Sequence, residues 1–423
     1  MTKITRRSLL KSGSMAGLVF AAPSIITNAR AAEAPIKIGF VSPTTGPIAA
    51  FGASDEYVLA GVRKAIGDGI EIGGKKYPVQ IIARDSQSNP NRATEVASKL
   101  ILEDKVDLML ASSTADTTNP VADQCELNEV PCITTDTPWD AHFFGRGGNP
   151  AKGFNWTYHF FWGANQIVDS YTSLWDQLKT NKKVGVLWSN DSDGVALANP
   201  EHGLTPLFKA KGYEVIDAGF HQPLSDDFSA QISKLKDAGV DIVTGVFLPP
   251  DFITFWNQAA QKGFKPKAAT IAKALLFPSS IEALGPNGNG VSSEVWWSPA
   301  HPFKSGLTGE TSKQLADGYT AASKQQWIQP TGFKHALLEV AIDALKRSGK
   351  PTDKAVLIDA IAKTNYDSIV GKVQWSKVPV KNACPTPLVG GQWIAKGDGK
   401  FDLVVCENKF APEIPVGAPF KSL

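Results

Sequence analysis

The chain of 423 residues is poor in the side chains on which most enzyme chemistry rests: four cysteines, three methionines and six histidines. His142, His159, His202, His221, His301 and His335 are scattered, with no HExxH or other paired spacing, which argues against a metal hydrolase. A GxSxG nucleophile elbow is absent. Gly285 to Gly290, GPNGNG, has neither the GxGxxG order nor the Lys-Ser/Thr of a P-loop, and it reads as a turn. The expectation is therefore a protein that is not an enzyme and carries neither cofactor nor metal. A charge excess is missing as well: Lys+Arg 43 against Asp+Glu 41 leaves a formal +2. Without a basic field nucleic acid is excluded as a partner. No apolar run reaches the roughly 20 residues that a membrane span needs, since the one from Met15 to Ala22 is interrupted by Pro23 and Asn28.

What is present begins with that interrupted run. Thr5-Arg6-Arg7-Ser8-Leu9-Leu10-Lys11 places adjacent arginines ahead of it, and Ala29-Arg30-Ala31 follows as a small-residue cleavage site. This is the order of a twin-arginine export signal over residues 1–31, which places the mature chain in the periplasm. In an oxidising compartment an even number of cysteines favours pairing, and sequence proximity suggests Cys125 with Cys132 and Cys384 with Cys406. Neither pair has CxxC spacing, so a redox motif or zinc ribbon is not expected.

The organising stretch runs from Val106 to Trp139, VDLMLASSTADTTNPVADQCELNEVPCITTDTPW. Val106 to Ala111 and Val130 to Thr134 read as two short buried strands of a parallel sheet. Ser112, Ser113 and Thr114 fall at the carboxyl end of the first, and Thr135, Asp136, Thr137, Pro138 and Trp139 at the end of the second. Asn119-Pro120 reads as an N-cap followed by proline at the first helical position. Open α/β sheets bind ligands outside the carboxyl ends of their strands, so the stretch describes the rim of a cleft.

The rest of the chain repeats the same grammar. Ile36 to Ser42 is a strand, 53–66 a helix, Lys75 to Ala83 a strand, and Asn89-Pro90 opens a helix over NRATEVASKLILED. Gly145, Gly147, Gly148 and Gly153 then break the rhythm, and a second series of alternating helices and strands runs from Ala164 to Lys273. Length and repetition together predict an α/β protein of two Rossmann-like lobes with parallel-core sheets, and the cleft between them. Three helices between 313 and 363 and a hairpin around Gly397-Asp398-Gly399 complete the chain. Trp188 and Trp297 stand where second-lobe strands leave the sheet, as does Lys273, which could meet a carboxylate.

IKIGFVSPTTGPIAAFG at 36–52, ARDSQSNPNRATEVASKLI at 83–101 and LASSTADTTNPVADQCELNEVPCITTDTP at 110–138 follow one another in a known order. DDFSAQISKLKDAGVDIV at 226–243 and QPTGFKHALLEVAIDAL at 329–345 continue it. In this succession the chain resembles the type I periplasmic solute-binding proteins, specifically the branched-chain amino-acid (leucine/isoleucine/valine-binding) receptors of ABC transporters. The resemblance implies lobe 1 over 35–160 plus 299–370, lobe 2 over 161–298 plus 371–423, and a three-strand hinge near 160, 298 and 371. It implies a monomer that closes over a small solute and passes it unaltered to a membrane permease. Ser112, Ser113, Thr114, Thr135, Asp136 and Thr137 would hold the solute's carboxylate by hydroxyl and backbone N–H groups. Phe51 would cover it, with Trp139 and Phe333 nearby.

On the second lobe the chain departs from the amino-acid binders. Where they supply tyrosines and an acid for the ammonium, this chain has Ser192 or Asp193, Leu248 or Pro249, and Lys273 or Ala274. The expected ligand is a small carboxylate with an apolar or aromatic body. The alternatives are an amino-acid or amide binder, with Asp136 or Asp193 meeting the amine, or a sensor that signals to a membrane kinase.

Overall fold

In the computed structural model, residues 33–378 and 380–423 are described; the segment read as an export signal lies outside them. Ile36–Ser42 (β1) is apolar and buried along almost its whole length, as expected of a strand covered on both faces. It pairs in parallel with Val79–Asp85 (β4) and Leu108–Ser112 (β5). Asp55–Ile66 (α1) and a hairpin of Ile70–Ile72 (β2) and Lys75–Tyr77 (β3) lie between β1 and β4 in the chain, and Pro90–Leu102 (α2) joins β4 to β5. Ala115–Leu127 (α3), Cys132–Thr135 (β6), Trp139–Phe143 (α4) and Thr157–Phe160 (β7) follow. The sheet order is β15-β7-β6-β5-β1-β4, where β15 is Ala383–Cys384.

The second series builds a second sheet. Ala164–Trp175 (α5), Lys183–Ser189 (β8), Ser192–Leu197 (α6), Leu204–Ala210 (α7), Glu214–His221 (β9) and Ser229–Asp237 (α8) come first. Ile242–Val246 (β10), Pro249–Gln261 (α9), Ala268–Ala272 (β11), Pro278–Ala283 (α10) and Ser292–Val295 (β12) follow. β8 to β12 pair in parallel, and the antiparallel hairpin Val389–Gly397 (β16) and Lys400–Glu407 (β17) extends the edge, giving β17-β16-β12-β11-β10-β8-β9. Between β12 and β15 run Ser312–Ser323 (α11), Pro330–Ser348 (α12), Lys354–Ala362 (α13) and the hairpin Asn365–Ser368 (β13) with Gly371–Gln374 (β14). Residues Glu33–Leu423 form one compact unit. No helix among the described residues is long and apolar enough to cross a membrane.

α12 is buried along most of its length and packs on the first sheet beside α1. Its Lys334 is fully buried, with Nζ 2.6 Å from Ser42 Oγ, 2.9 Å from Ser112 Oγ and 2.7 Å from Asp55 Oδ1. A buried ammonium is tolerable only when its donors are met in this way. The result ties the carboxyl ends of β1 and β5 to α1 and α12.

Four expectations need correction. α3 begins at Ala115, with Thr114 as its N-cap, and Pro120 lies inside the helix rather than opening it. The strand expected over Lys75 to Ala83 divides into β3 and β4. β15 pairs with β7, so the chain stays with the first sheet until Cys384 instead of leaving it near 371. All four cysteines are unpaired and buried. Cys384 and Cys406 belong to different sheets, and the Cys406 thiol turns to the Val404 carbonyl at 3.3 Å. Cys125 and Cys132 are neighbours that remain thiols; burial first, then Cys132 itself, raises the Cys125 pKa.

Candidate functional site

The carboxyl ends of both sheets border one cavity of about 30 Å³, lined among others by Phe51, Thr114, Asp136, Phe161, Trp162, Asp193, Lys273, Glu294 and Trp296. That is far below the roughly 300–1,000 Å³ usual for small-molecule sites, because direct contacts draw the two rims together. Most of the wall is apolar. Phe51 stands edge-on to Phe277 at 5.0 Å between centroids, and Phe161 contacts Trp162 at 5.0 Å and Trp296 at 4.9 Å. Pro138, Leu197, Val246, Ala272 and Leu276 fill the remainder.

Three non-glycine residues at strand ends hold positive φ: Ser113 after β5 (143°), Asp136 after β6 (67°) and Lys273 after β11 (69°). Each such conformation costs on the order of 1–3 kcal/mol and persists only where the surroundings impose it. Here it turns the chain sharply at the rim. On the first rim Thr137 Oγ1 donates to the Ser113 carbonyl at 2.9 Å, locking the two loops together. The Thr137 carbonyl accepts from His159 Nε2 at 2.7 Å, while His159 Nδ1 accepts from Thr134 Oγ1 at 2.8 Å. Burial pushes His159 down to about 3, so it stays neutral. His142 stacks on it at 4.2 Å.

The second rim is saturated. Lys273 Nζ lies 2.9 Å from Asp191 Oδ2 and 2.8 Å from Asp193 Oδ2, and all three are largely buried. Burial works against the Lys273 ammonium, but Asp191 and Asp193 outweigh it and raise its pKa. Burial carries Asp193 up to about 6, more than Lys273 draws it back. Asp193 Oδ1 also accepts from the Ala115 N–H at 3.2 Å, and Ser192 Oγ donates to Asp116 at 2.5 Å, so the starts of α3 and α6 meet across the cavity. Gly194 makes this seat possible, since a Cβ there would collide with the Ser189 carbonyl. Asp116, Asp191 and Asp193 approach one another closely enough to hold a metal, but the Lys273 ammonium bridges two of them. Glu294 is satisfied too: Tyr171 OH donates at 2.5 Å, Ser293 Oγ at 2.8 Å and the Lys273 N–H at 3.2 Å.

Among the residues that line the cavity, the Trp162 and Trp296 indole N–H groups, the Thr114 hydroxyl and both oxygens of Asp136 have no hydrogen-bond partner. Burial pushes Asp136 up to about 8, against the pull of Lys334. Such a set offers N–H donors for an oxygen acceptor and one carboxyl group for a donor, on an otherwise apolar wall.

Of the residues read from sequence as ligand-binding, the cavity wall contains Phe51, Thr114, Asp136, Asp193 and Lys273. The others sit around it. Ser112 is taken up by Lys334, and Thr135 Oγ1 by the Phe160 carbonyl at 2.7 Å. Thr137 Oγ1 is taken up by the Ser113 carbonyl, while the Ser113 hydroxyl is buried without a partner. Ser192 faces solvent at the Asp116 contact, and Leu248 caps α9. Trp139 packs on Phe144. Trp188 is core, Trp297 donates to Ser312 Oγ at 3.1 Å, and Phe333 packs against Phe160, Phe161 and Trp296. Phe161, Trp162, Glu294 and Trp296 line the cavity without having been singled out.

The family model described as periplasmic binding protein matches residues 35–398. The Leu/Ile/Val-binding protein homolog 3 of Brucella melitensis is 25% identical over 353 residues, covering 80% of this chain and 85% of the relative. Among solved structures, a leucine-binding protein of Thermotoga maritima aligns with TM-score 0.72 at 21% identity, over 88% of this chain and 99% of that one. A solute-binding protein of an ABC transporter from Rhodopseudomonas palustris, solved with 3,4-dihydroxybenzoic acid, aligns with TM-score 0.69 at 21% identity, over 88% and 96%. The structural likenesses bear on the fold.

Proposed function

As a member of the periplasmic binding protein family, the chain acts by binding, and we propose that it is the substrate-binding component of an ABC importer. It captures a small solute between two lobes, each built on one of the sheets, and delivers it unaltered to a membrane permease. The lobes follow the sheets: 35–160 and 299–384 on one side, 161–298 and 385–423 on the other. Closure presents both rims to the solute at once, so the solute selects the closed state. The twin arginines, Arg6 and Arg7, direct export to the periplasm, where the chain works as a monomer.

The observation that carries this reading is the cavity between the two sets of strand ends, walled by aromatic rings and holding unpaired indole N–H groups. Trp162 and Trp296 each offer one donor, and Thr114 a hydroxyl, to the oxygens of a carboxylate. Phe51, Phe161 and Leu276 offer an apolar bed for its body. The solute is accordingly a small carboxylate with an apolar or aromatic body. Relatives named for leucine and a structure solved with a dihydroxybenzoic acid are in keeping with that chemistry. The unpaired Asp136 favours a second reading, an amino acid whose ammonium it would meet. Calorimetric titration of the mature chain with benzoate, 4-hydroxybenzoate and leucine separates the two. Binding of the aromatic acids supports the first reading; tight binding of leucine alone removes it.

A further inference from the structure

Asp136 is anomalous among the acids near the cavity. Glu294 receives three hydrogen bonds, Asp193 is held by Lys273 and the Ala115 N–H, and Asp140, four residues on, takes the Ala164 N–H at 2.5 Å. Those carboxylates are matched by the fold. Asp136 is 4% exposed, lines the cavity and has no hydrogen-bond partner for either oxygen. The nearest cation, Lys334 of α12, is committed to Asp55, Ser42 and Ser112. Burying an unmatched carboxyl group is costly, and so is the left-handed backbone that aims it. Two costs at one residue of the wall, offset only in part by the pull of Lys334, point to a partner supplied from outside.

Resting on the capture of a solute in this cavity, we infer that Asp136 selects the solute by accepting a hydrogen bond from a hydroxyl or ammonium group on it. The preferred ligand is therefore bifunctional. It carries oxygen acceptors for the Trp162 and Trp296 indoles and, on the same small apolar body, a donor for Asp136. A carboxylic acid without such a donor leaves Asp136 unmatched and binds weakly.

The test uses two matched pairs of probes, 4-hydroxybenzoate with benzoate and leucine with 4-methylpentanoate, titrated calorimetrically into the mature wild-type chain and into Asp136→Asn. Asparagine tolerates the left-handed backbone, so the variant folds. In the wild type the donor-bearing member of at least one pair binds about tenfold tighter or more, the size of a hydrogen bond to a charged or buried group. In Asp136→Asn that preference shrinks a few-fold if the donor is a hydroxyl, which an amide oxygen still accepts, and vanishes if it is an ammonium. The ligand-free variant melts no lower than the wild type. Equal affinities within both pairs, a preference unchanged in the variant, or a lower melting temperature for the ligand-free variant overturns the assignment of Asp136 alone. Failure of all four probes to bind the wild type overturns the reading of the cavity and this inference with it.

Discussion

The two rims of the cavity are built on the same plan and finished differently. Each places a buried lysine near its strand ends: Lys334 on the first, bound by Asp55, Ser42 and Ser112, and Lys273 on the second, bound by Asp191 and Asp193. On the second rim the acids and the ammonium satisfy one another, and the network also reaches Ala115 across the cavity. On the first rim the lysine is used up below the surface, and the acid that faces the cavity, Asp136, is left over. A saturated network holds a shape, whereas an unsaturated one recognises a guest. The first rim thus carries the selectivity and the second carries the rigidity and the contact between halves.

The largest expected effect comes from breaking the saturated rim. Lys273→Met leaves Asp191 and Asp193 buried without their cation and should lower stability by about 3–5 kcal/mol, read as a shift in urea midpoint. Lys334→Met strands one carboxylate, Asp55, and should cost less; an equal or greater loss would erase the distinction drawn between the two lysines.

The left-over acid has a signed pH dependence. Burial raises Asp136 from 3.8 to about 8 in the folded chain, so the folded state holds the proton more tightly than the unfolded one. Its contribution is fully present below pH 3.8 and is lost as pH rises toward 8. The melting temperature of Asp136→Asn relative to wild type should therefore climb between pH 5 and pH 8 without ligand. A flat difference would mean that Asp136 has a partner in the fold after all. Trp162→Phe keeps the ring and removes the N–H, and should weaken solute binding by about 1 kcal/mol with little change in melting. The smallest effect belongs to Thr137→Ala, which removes the bond to the Ser113 carbonyl. About 1 kcal/mol of stability is at stake there, and affinity should follow only as far as the loop loosens.

The alternation of strands and helices was legible because buried parallel strands such as IKIGFVS and LMLAS are mostly apolar and each is followed by a loop of turn formers. The rim was legible for the same reason: hydroxyl and acidic residues after β5 and β6 fall where parallel sheets bind. Which of them face the cavity was not. Trp296 and Trp297 are adjacent, and at the end of a strand neighbours point to opposite sides, so one lines the cavity and the other donates to Ser312 in the core. Burial does not separate them, since both are 1% exposed or less. The start of α3 was misplaced because Asn119-Pro120 carries a strong local signal. Thr114, extended at the carboxyl end of β5, starts the helix first. His142 and His159 looked scattered at a separation of seventeen positions, yet β7 brings them into a stack that fixes the Thr137 loop. Cysteine proximity in sequence did not bring Cys384 and Cys406 together, because their strands belong to different sheets, whereas Cys125 and Cys132 lie side by side as thiols.

Capture between two facing rims is tested most directly by the affinity of whichever aromatic acid or amino acid binds the wild type, measured in three variants: Thr114→Ala and Asp136→Asn on the first rim, and Trp296→Phe beside the second. Weakening by substitutions on both sides, with the fold intact by melting temperature, is the expected result. Affinity that responds to one rim and ignores the other would place the solute outside the cavity and contradict the account.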